Sequence, residues 1–184
     1  MCNDRLHREL EQLATFDAVT GVYNRASLER YAADAVAHAL RHGRPVAVML
    51  VDADHFKRIN DEFGHEAGDS ALRVLAGCLQ FCVRPGDVVG RFGGEEFVVV
   101  MPGADEDAGV VIAERVRQRM ETLRLGEATG DLALRVSVGV AMRRERDDRY
   151  VHVLRQADRA LYEAKRTGRN RVMAASTMAT AEAT

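Results

Sequence analysis

The chain has 184 residues, 47% hydrophobic and 29% charged, with 26 Lys and Arg against 28 Asp and Glu. That suffices for one domain with a full core, and the near-neutral balance excludes the broad basic surface of a duplex-binding protein. No apolar run approaches membrane-spanning length, Met1-Cys2-Asn3-Asp4 carries no signal-peptide apolar region, and Cys2, Cys78 and Cys82 fit neither a disulfide framework nor a zinc spacing. The expectation is a cytoplasmic chain in a reducing setting, without nucleic acid or membrane contact by this segment.

Residues 4–15 predict a short helix with Leu6, Leu10 and Leu13 on one side. It reads either as the end of a connecting helix or coiled coil, or as a terminal helix, and the sequence does not separate the two. Asp17 to Arg25 is turn-rich. A helix to about His42 follows, with Leu28, Tyr31, Ala32, Ala35, Val36, Ala39 and Leu40 at helical spacing. Gly43 and Pro45 end it. Val46 to Val51 is an unbroken apolar run, as in a strand buried on both faces, and it leads into Asp52-Ala53-Asp54. A short helix from His55 to Phe63 makes Asp54 the expected N-cap; Asp52 has no such structural duty.

Gly64 to Gly68 reads as a loop, and Asp69-Ser70 as the start of a helix to about Cys82 whose two cysteines pack as small apolar residues. Arg84-Pro85-Gly86-Asp87 is a turn. Val88 to Met101 then has two β-rich flanks around Gly93-Gly94, a hairpin signal. A helix from Asp105 or Asp107 to about Leu123 follows, then a loop over 126–131. Leu134, Val136, Val138 and Val140 alternate with polar or small residues as in a half-buried strand. After a charged loop, Arg143 to Arg149, come a helix over about 151–167 and a short strand, Arg171 to Met173. The order is that of an α+β fold with a ferredoxin-like βαββαβ core, an antiparallel sheet flanked by helices. Residues 1–16 are expected as a connecting helix, 17–174 as the domain, and 175–184 as a disordered tail.

The chemistry gathers where the first strand meets the hairpin. Side by side, they bring Asp52 and Glu95 together, with Asp54 and Glu96 close by. Adjacent carboxylates repel, so a turn carrying Glu95-Glu96 suits a divalent cation. Hard oxygen ligands without His or Cys select Mg²⁺ or Mn²⁺, whose remaining positions go to phosphate oxygens and water. Gly93 and Gly94 leave room for an anion beside the backbone. A merely solvated acidic turn is the bland alternative.

Gly93-Gly94-Glu95-Glu96-Phe97 resembles the signature of the GGDEF family in its GGEEF form. So do Asp52 through Asp61, Gly64-His65, Gly68-Asp69, Asp17 through Arg25, Ser137 through Val140, and Ala157 through Lys165 with Gly168-Arg169-Asn170. Val19 stands where Leu is usual. Several ordered fragments make this resemblance specific. It implies a palm-like sheet and a diguanylate cyclase that joins two GTP into cyclic di-GMP with loss of two pyrophosphates.

By resemblance, Asp52, Glu95 and the carbonyl of Ala53 hold metal, and Glu96 stands beside them among the catalytic residues. Asn60 and Asp69 read the guanine edge, while Lys57, Lys165, Arg169, Gly93 and Gly94 take the phosphates. Arg84 and Asp87 fit an RxxD product-inhibition site, assisted by Arg115. The symmetric product implies a homodimer. An N-terminal sensor domain or upstream signalling partner would supply control. The rival readings are a silent domain that binds GTP or cyclic di-GMP and signals through a partner, and another palm-type enzyme. No P-loop motif is present.

Overall fold

The computed structural model describes residues 15–126, 129, 132–143 and 149–181. Most of the expected N-terminal helix, much of the 126–131 loop, the middle of the charged loop and the last three residues lie outside the described residues.

The elements run α1 (Arg25–Arg41), β1 (Val46–Ala53), α2 (Phe56–Phe63), α3 (His65–Cys82), β2 (Val88–Arg91), β3 (Glu96–Pro102), α4 (Glu106–Thr122), β4 (Val136–Met142), α5 (Tyr150–Arg166), β5 (Val172–Ala174) and α6 (Ala175–Ala181). The sheet order is β2-β3-β1-β4-β5. All pairs are antiparallel except β4 with β5, which is parallel. The first four strands give the ferredoxin-like core, and β5 extends its edge.

β1 lies at the centre because it can: every one of its residues is buried. Successive strand side chains point to opposite faces. Ala47, Met49 and Val51 therefore meet α3 and α4 through Leu72, Leu75, Leu79, Val116 and Met120. Val46, Val48 and Leu50 meet α1 and α5 through Leu28, Val36, Val153 and Leu161. Each large side chain so buried contributes on the order of 1.5–3 kcal/mol before entropy is counted. By the same alternation Asp52 belongs to the α1/α5 face. So does Glu96, its direct partner across the β1–β3 ladder.

Several expectations are corrected. Residues 65–68 are not a loop: α3 begins at His65, capped by Gly64 at φ 83°, so Asp69 lies inside the helix rather than at its start. Asp54 does not cap α2; His55 occupies that position at φ 60° without a side-chain cap bond. Strand β4 is not half-buried, because helices pack on both its faces and six of its seven residues are buried. Leu40 is exposed rather than part of the α1 core face. Residues 175–181 form a helix rather than a disordered tail. That segment is rich in alanine, the strongest helix former, and Ala175 packs against the α1/α5 core. The ambiguity at 105–107 resolves to Asp105, which accepts from the Ala108 N–H at 2.9 Å.

Both Cys78 and Cys82 are buried and unbridged. Burial first, and the neighbouring Cys82 second, push the Cys78 thiol up to about 12, so it packs as a neutral group.

Gly139 lets α5 approach the sheet. A Cβ there would run into the Ala157 carbonyl oxygen and the Leu161 backbone nitrogen, atoms that cannot step aside without moving the helix. Gly77, exposed in α3, faces open space. Gly139→Ala should therefore cost about 2–3 kcal/mol, whereas Gly77→Ala should gain about 0.5–1 kcal/mol. Urea unfolding of the two variants checks both signs.

Candidate active site

Asp52 ends the apolar run of β1 and is 4% exposed. Its Oδ2 meets Nζ of Lys165 at 2.7 Å. Lys165 lies on the last turn of α5, the helix that Gly139 admits to this face. Burial dominates the Asp52 equilibrium and raises its pKa to about 6. Lys165 works against that shift, while Glu95 and Glu96 reinforce it. The Glu95 carboxyl is also raised, by burial first, with Lys165 opposing and Glu96 adding. Three carboxylates thus share one field with a single close lysine.

The hairpin turn holds this arrangement. It has four residues between β2 and β3, and neither glycine is at positive φ. Phe92 and Gly93 N–H donate to the Glu96 carbonyl at 2.8 and 3.2 Å. A Cβ on Gly93 would lie 2.7 Å from Glu96 Oε2. The Glu96 carboxylate folds over Gly93, so a side chain there would displace it, while Gly94 is exposed with open space around it. The Ala53 N–H donates to the Glu95 carbonyl at 3.3 Å, tying the turn to the end of β1.

A residue not singled out in the sequence fixes the turn from beneath. Arg91 Nε donates to the carbonyls of Gly93 and Gly94, both at 3.2 Å, and Nη2 to Gly94 at 2.7 Å. Its Nη1 spans both oxygens of Asp17 at 3.1 and 3.2 Å. Burial alone would raise the Asp17 pKa, but hydrogen bonds from Thr20 and the charge of Arg91 outweigh it and hold it low. The entry segment also runs beside β2, with Tyr23 N–H donating to Val89 O and Arg91 N–H to Tyr23 O. An Asp far upstream paired with an Arg two residues before Gly-Gly was the available signal; sequence distance concealed it.

The remaining expected residues divide. Asn60, near the end of α2, packs on the start of α3: a Cβ on Gly68 would collide with its carboxamide. Asp69 follows Gly68 on the same helix, half-buried, so the two expected base readers flank one helix junction. Lys57 is exposed on the first turn of α2. Arg169 is exposed at φ 61°, just beyond α5.

Arg84 and Asp87 form a closed turn at the opposite side of the hairpin. Arg84 N–H donates to Asp87 Oδ2 at 3.1 Å, Nε lies 3.5 Å from Oδ1, and Nη2 donates to the Pro102 carbonyl at 2.6 Å. A cavity of about 380 Å³ lies beside this turn, lined by Arg84, Asp87, Tyr23 and Phe16 among others. Arg115 is exposed on α4.

Two carboxylates whose ionised forms are disfavoured until a second positive charge arrives are a fitting donor set for a hard divalent cation. They are not a complete cage. Among the described residues no group of three or more His, Cys, Asp or Glu side chains is placed to hold a metal alone. Backbone, water and phosphate oxygens would have to complete the shell. Also among the described residues, no helix is long and apolar enough to cross a membrane.

Comparison with known proteins gives the family and the fold. The family described as "Diguanylate cyclase, GGDEF domain" matches residues 14–171. The chain is 42% identical over 169 residues to the probable diguanylate cyclase DgcC of Escherichia coli, covering 92% of this chain and 45% of that protein. It is 43% identical over 157 residues to the diguanylate cyclase DosC of the same organism, covering 85% and 34% respectively. The chain thus spans less than half the length of these curated relatives. Among solved structures, it resembles the GGDEF domain of DgcB from Caulobacter crescentus in complex with c-di-GMP, with a TM-score of 0.83 and 33% identity over 88% of this chain and 93% of that one. The active GGEEF domain of a diguanylate cyclase from Vibrio cholerae matches with a TM-score of 0.78 and 35% identity over 82% and 96%.

The raised Asp52 pKa makes a sign-specific prediction. In the folded protein it lies at about 6, against 3.8 for an unperturbed aspartate. The stability linked to its proton is fully present below the unfolded value and lost as pH rises through about 6. With divalent cations chelated, Asp52→Asn should stabilise the protein at pH 8, by up to about 3 kcal/mol on the linkage relation. The gain should shrink towards pH 4. Guanidinium unfolding at the two pH values checks this; destabilisation at pH 8, or a gain independent of pH, would contradict the burial argument.

Proposed function

This chain belongs to the GGDEF family of diguanylate cyclase domains, and on that premise we propose that it condenses two GTP molecules into cyclic di-GMP, releasing two pyrophosphates. The observation that carries the proposal is the convergence of Asp52, Glu95 and Glu96 with Lys165 beside a glycine turn. The intact set favours turnover over a silent binding role.

In the proposed reaction the 3′-oxygen of one GTP bonds to the α-phosphorus of the other. The bond from that phosphorus to the bridging oxygen breaks, and pyrophosphate leaves. A Mg²⁺ or Mn²⁺ ion held by Asp52, Glu95 and the Ala53 carbonyl would neutralise the carboxylates and withdraw electron density from the phosphoryl group. Lys165 balances Asp52 in the free protein and turns to a phosphate oxygen once the nucleotide is bound. Lys57 and Arg169 contact the rest of the triphosphate, which Gly93 and Gly94 admit along the backbone. Glu96 is the remaining carboxylate on the turn, and we assign it the proton leaving the 3′-hydroxyl.

Asn60 and Asp69 give base selectivity. A carboxylate accepts from guanine N1–H and the exocyclic amine, and adenine offers neither donor there. Placing a polar group against no partner costs about 1–3 kcal/mol, enough to favour GTP over ATP. Each site holds one GTP, whereas the product joins two symmetrically. Two chains therefore face each other across a two-fold axis during turnover. Product inhibition is assigned to Arg84 and Asp87. Arg84 would leave the Pro102 carbonyl to grip cyclic di-GMP, with Arg115 assisting from α4.

Incubation with GTP and Mg²⁺, followed by nucleotide chromatography, tests the reaction. Cyclic di-GMP and pyrophosphate should appear, with a rate rising more than linearly with protein concentration. Glu95→Ala should lower the rate at least about 100-fold, the scale expected when a group stabilising transition-state charge is removed. Bound nucleotide without product would instead indicate the silent reading. In the same assay, added cyclic di-GMP should slow the unaltered chain, and Arg84→Ala should relieve that slowing while initial turnover persists. Equal inhibition of both proteins would remove the RxxD assignment.

A further inference from the structure

Asp54 stands two residues beyond Asp52 and is 6% exposed, yet the proposed reaction does not use it. It is not a helix cap, since His55 occupies that place. Its two oxygens have separate duties. Ser137 Oγ, on the neighbouring strand β4, donates to Oδ1 at 2.8 Å. The backbone N–H of Asn170 donates to Oδ2 at 2.9 Å, across 116 residues of sequence.

Asn170 and the preceding Arg169 both sit at positive φ, 47° and 61°. Residues bearing a Cβ disfavour this left-handed region, and two in succession persist where the surroundings fix them. Here they are fixed from two sides. Asp54 holds the Asn170 backbone from the sheet. From α4, Glu121 accepts from Asn170 Nδ2 at 2.6 Å, and Arg117 Nη1 donates to Asn170 Oδ1 at 3.4 Å. Arg117 is itself held by Glu114 and Glu121, at 2.8 Å each. Arg169 N–H donates to Ala164 O, and Val138 N–H to Arg171 O, both at 2.9 Å, closing the turn onto α5 and β4.

We propose that Asp54 is a positioning residue: it locks the left-handed Arg169–Asn170 turn onto the end of β1, and so fixes Arg169, with Lys165 one helical turn earlier, at the phosphate side of the nucleotide site. The role of the turn in holding phosphate rests on the diguanylate cyclase reading; the lock itself does not. The Asn170 N–H can only donate, so position 54 must offer it an acceptor; the Ser137 hydroxyl can donate or accept, and its bond to Oδ1 holds the side chain in place.

Asp54→Ala removes both acceptor oxygens and tests this directly. Amide hydrogen exchange at Asn170 should accelerate at least about tenfold as its acceptor is lost. The KM for GTP should rise about tenfold while kcat changes less than about threefold, since binding rather than the chemical step is affected. In an Arg169→Ala background the same substitution should change KM by less than about twofold, because the residue it acts through is gone. Unchanged exchange at Asn170 overturns the lock. Fully additive effects in the double variant overturn the route through Arg169. A collapse of kcat at constant KM would place Asp54 at the reacting atoms instead. Should Asp54→Ala fail to fold, Asp54→Ser is the second variant. Its side chain is too short to reach the Asn170 N–H, and it should reproduce the faster exchange and the KM rise; normal exchange and a normal KM there overturn the proposal. If the unaltered chain makes no product from GTP, the diguanylate cyclase reading fails, and the exchange measurement still decides the lock.

Discussion

The site depends on one buried charge. Asp52 is carried out of water by the packing of β1, and burial favours its neutral form. Lys165 holds the opposite balance at 2.7 Å, but Glu95 and Glu96 add negative potential to the same place. The result is a carboxylate whose ionised form is disfavoured, in a site short of positive charge. Such a group costs folding stability in the free protein. It gains when a cation and a triphosphate arrive together, which the proposed chemistry requires. Functional sites commonly show this conflict between stability and chemistry.

That balance is imposed by the sheet rather than by the loop. The alternation along β1 puts Asp52 on the face that α5 covers, and the ladder sets Glu96 opposite it. A shift of one residue in register would turn Asp52 to the other face, away from Lys165. Gly139 allows α5 to lie against β4 with no side chain between backbone and backbone. The lysine position and the strand register are therefore consequences of the same close packing.

Arg91 extends this logic to the entry segment. Its guanidinium binds both glycine carbonyls of the turn and both oxygens of Asp17, with about a fifth of each side chain exposed. A pair this sheltered, with most donors engaged, is worth more than the 0–1 kcal/mol or so of a surface ion pair. It makes the turn bearing Glu95 and the segment leading into the domain one mechanical unit. The clamp around Asn170 does the corresponding work at the other flank of the site, again by joining residues distant in the chain.

Local patterns carried much of this protein. The unbroken apolar run of β1, the helical spacing of Leu28, Ala32, Val36 and Ala39, and the β-rich flanks of Gly93-Gly94 settled element type and order. They placed Asp52 at a strand end and Glu95 at a hairpin turn, because such features are defined by nearest neighbours in sequence; the pairing of β1 with β3 that brings the two elements together is tertiary. The helical start at His65 was missed because a positive-φ glycine cap looks, in sequence, like any glycine that breaks a helix. The helix at 175–181 was missed because its support comes from a core assembled elsewhere. The partners of Asp54, Arg91 and Lys165 were decided by the tertiary structure alone. Hydrogen bonds and ion pairs depend on distances of a few ångströms in space, and those distances are set only when strands from separate parts of the chain have found their register.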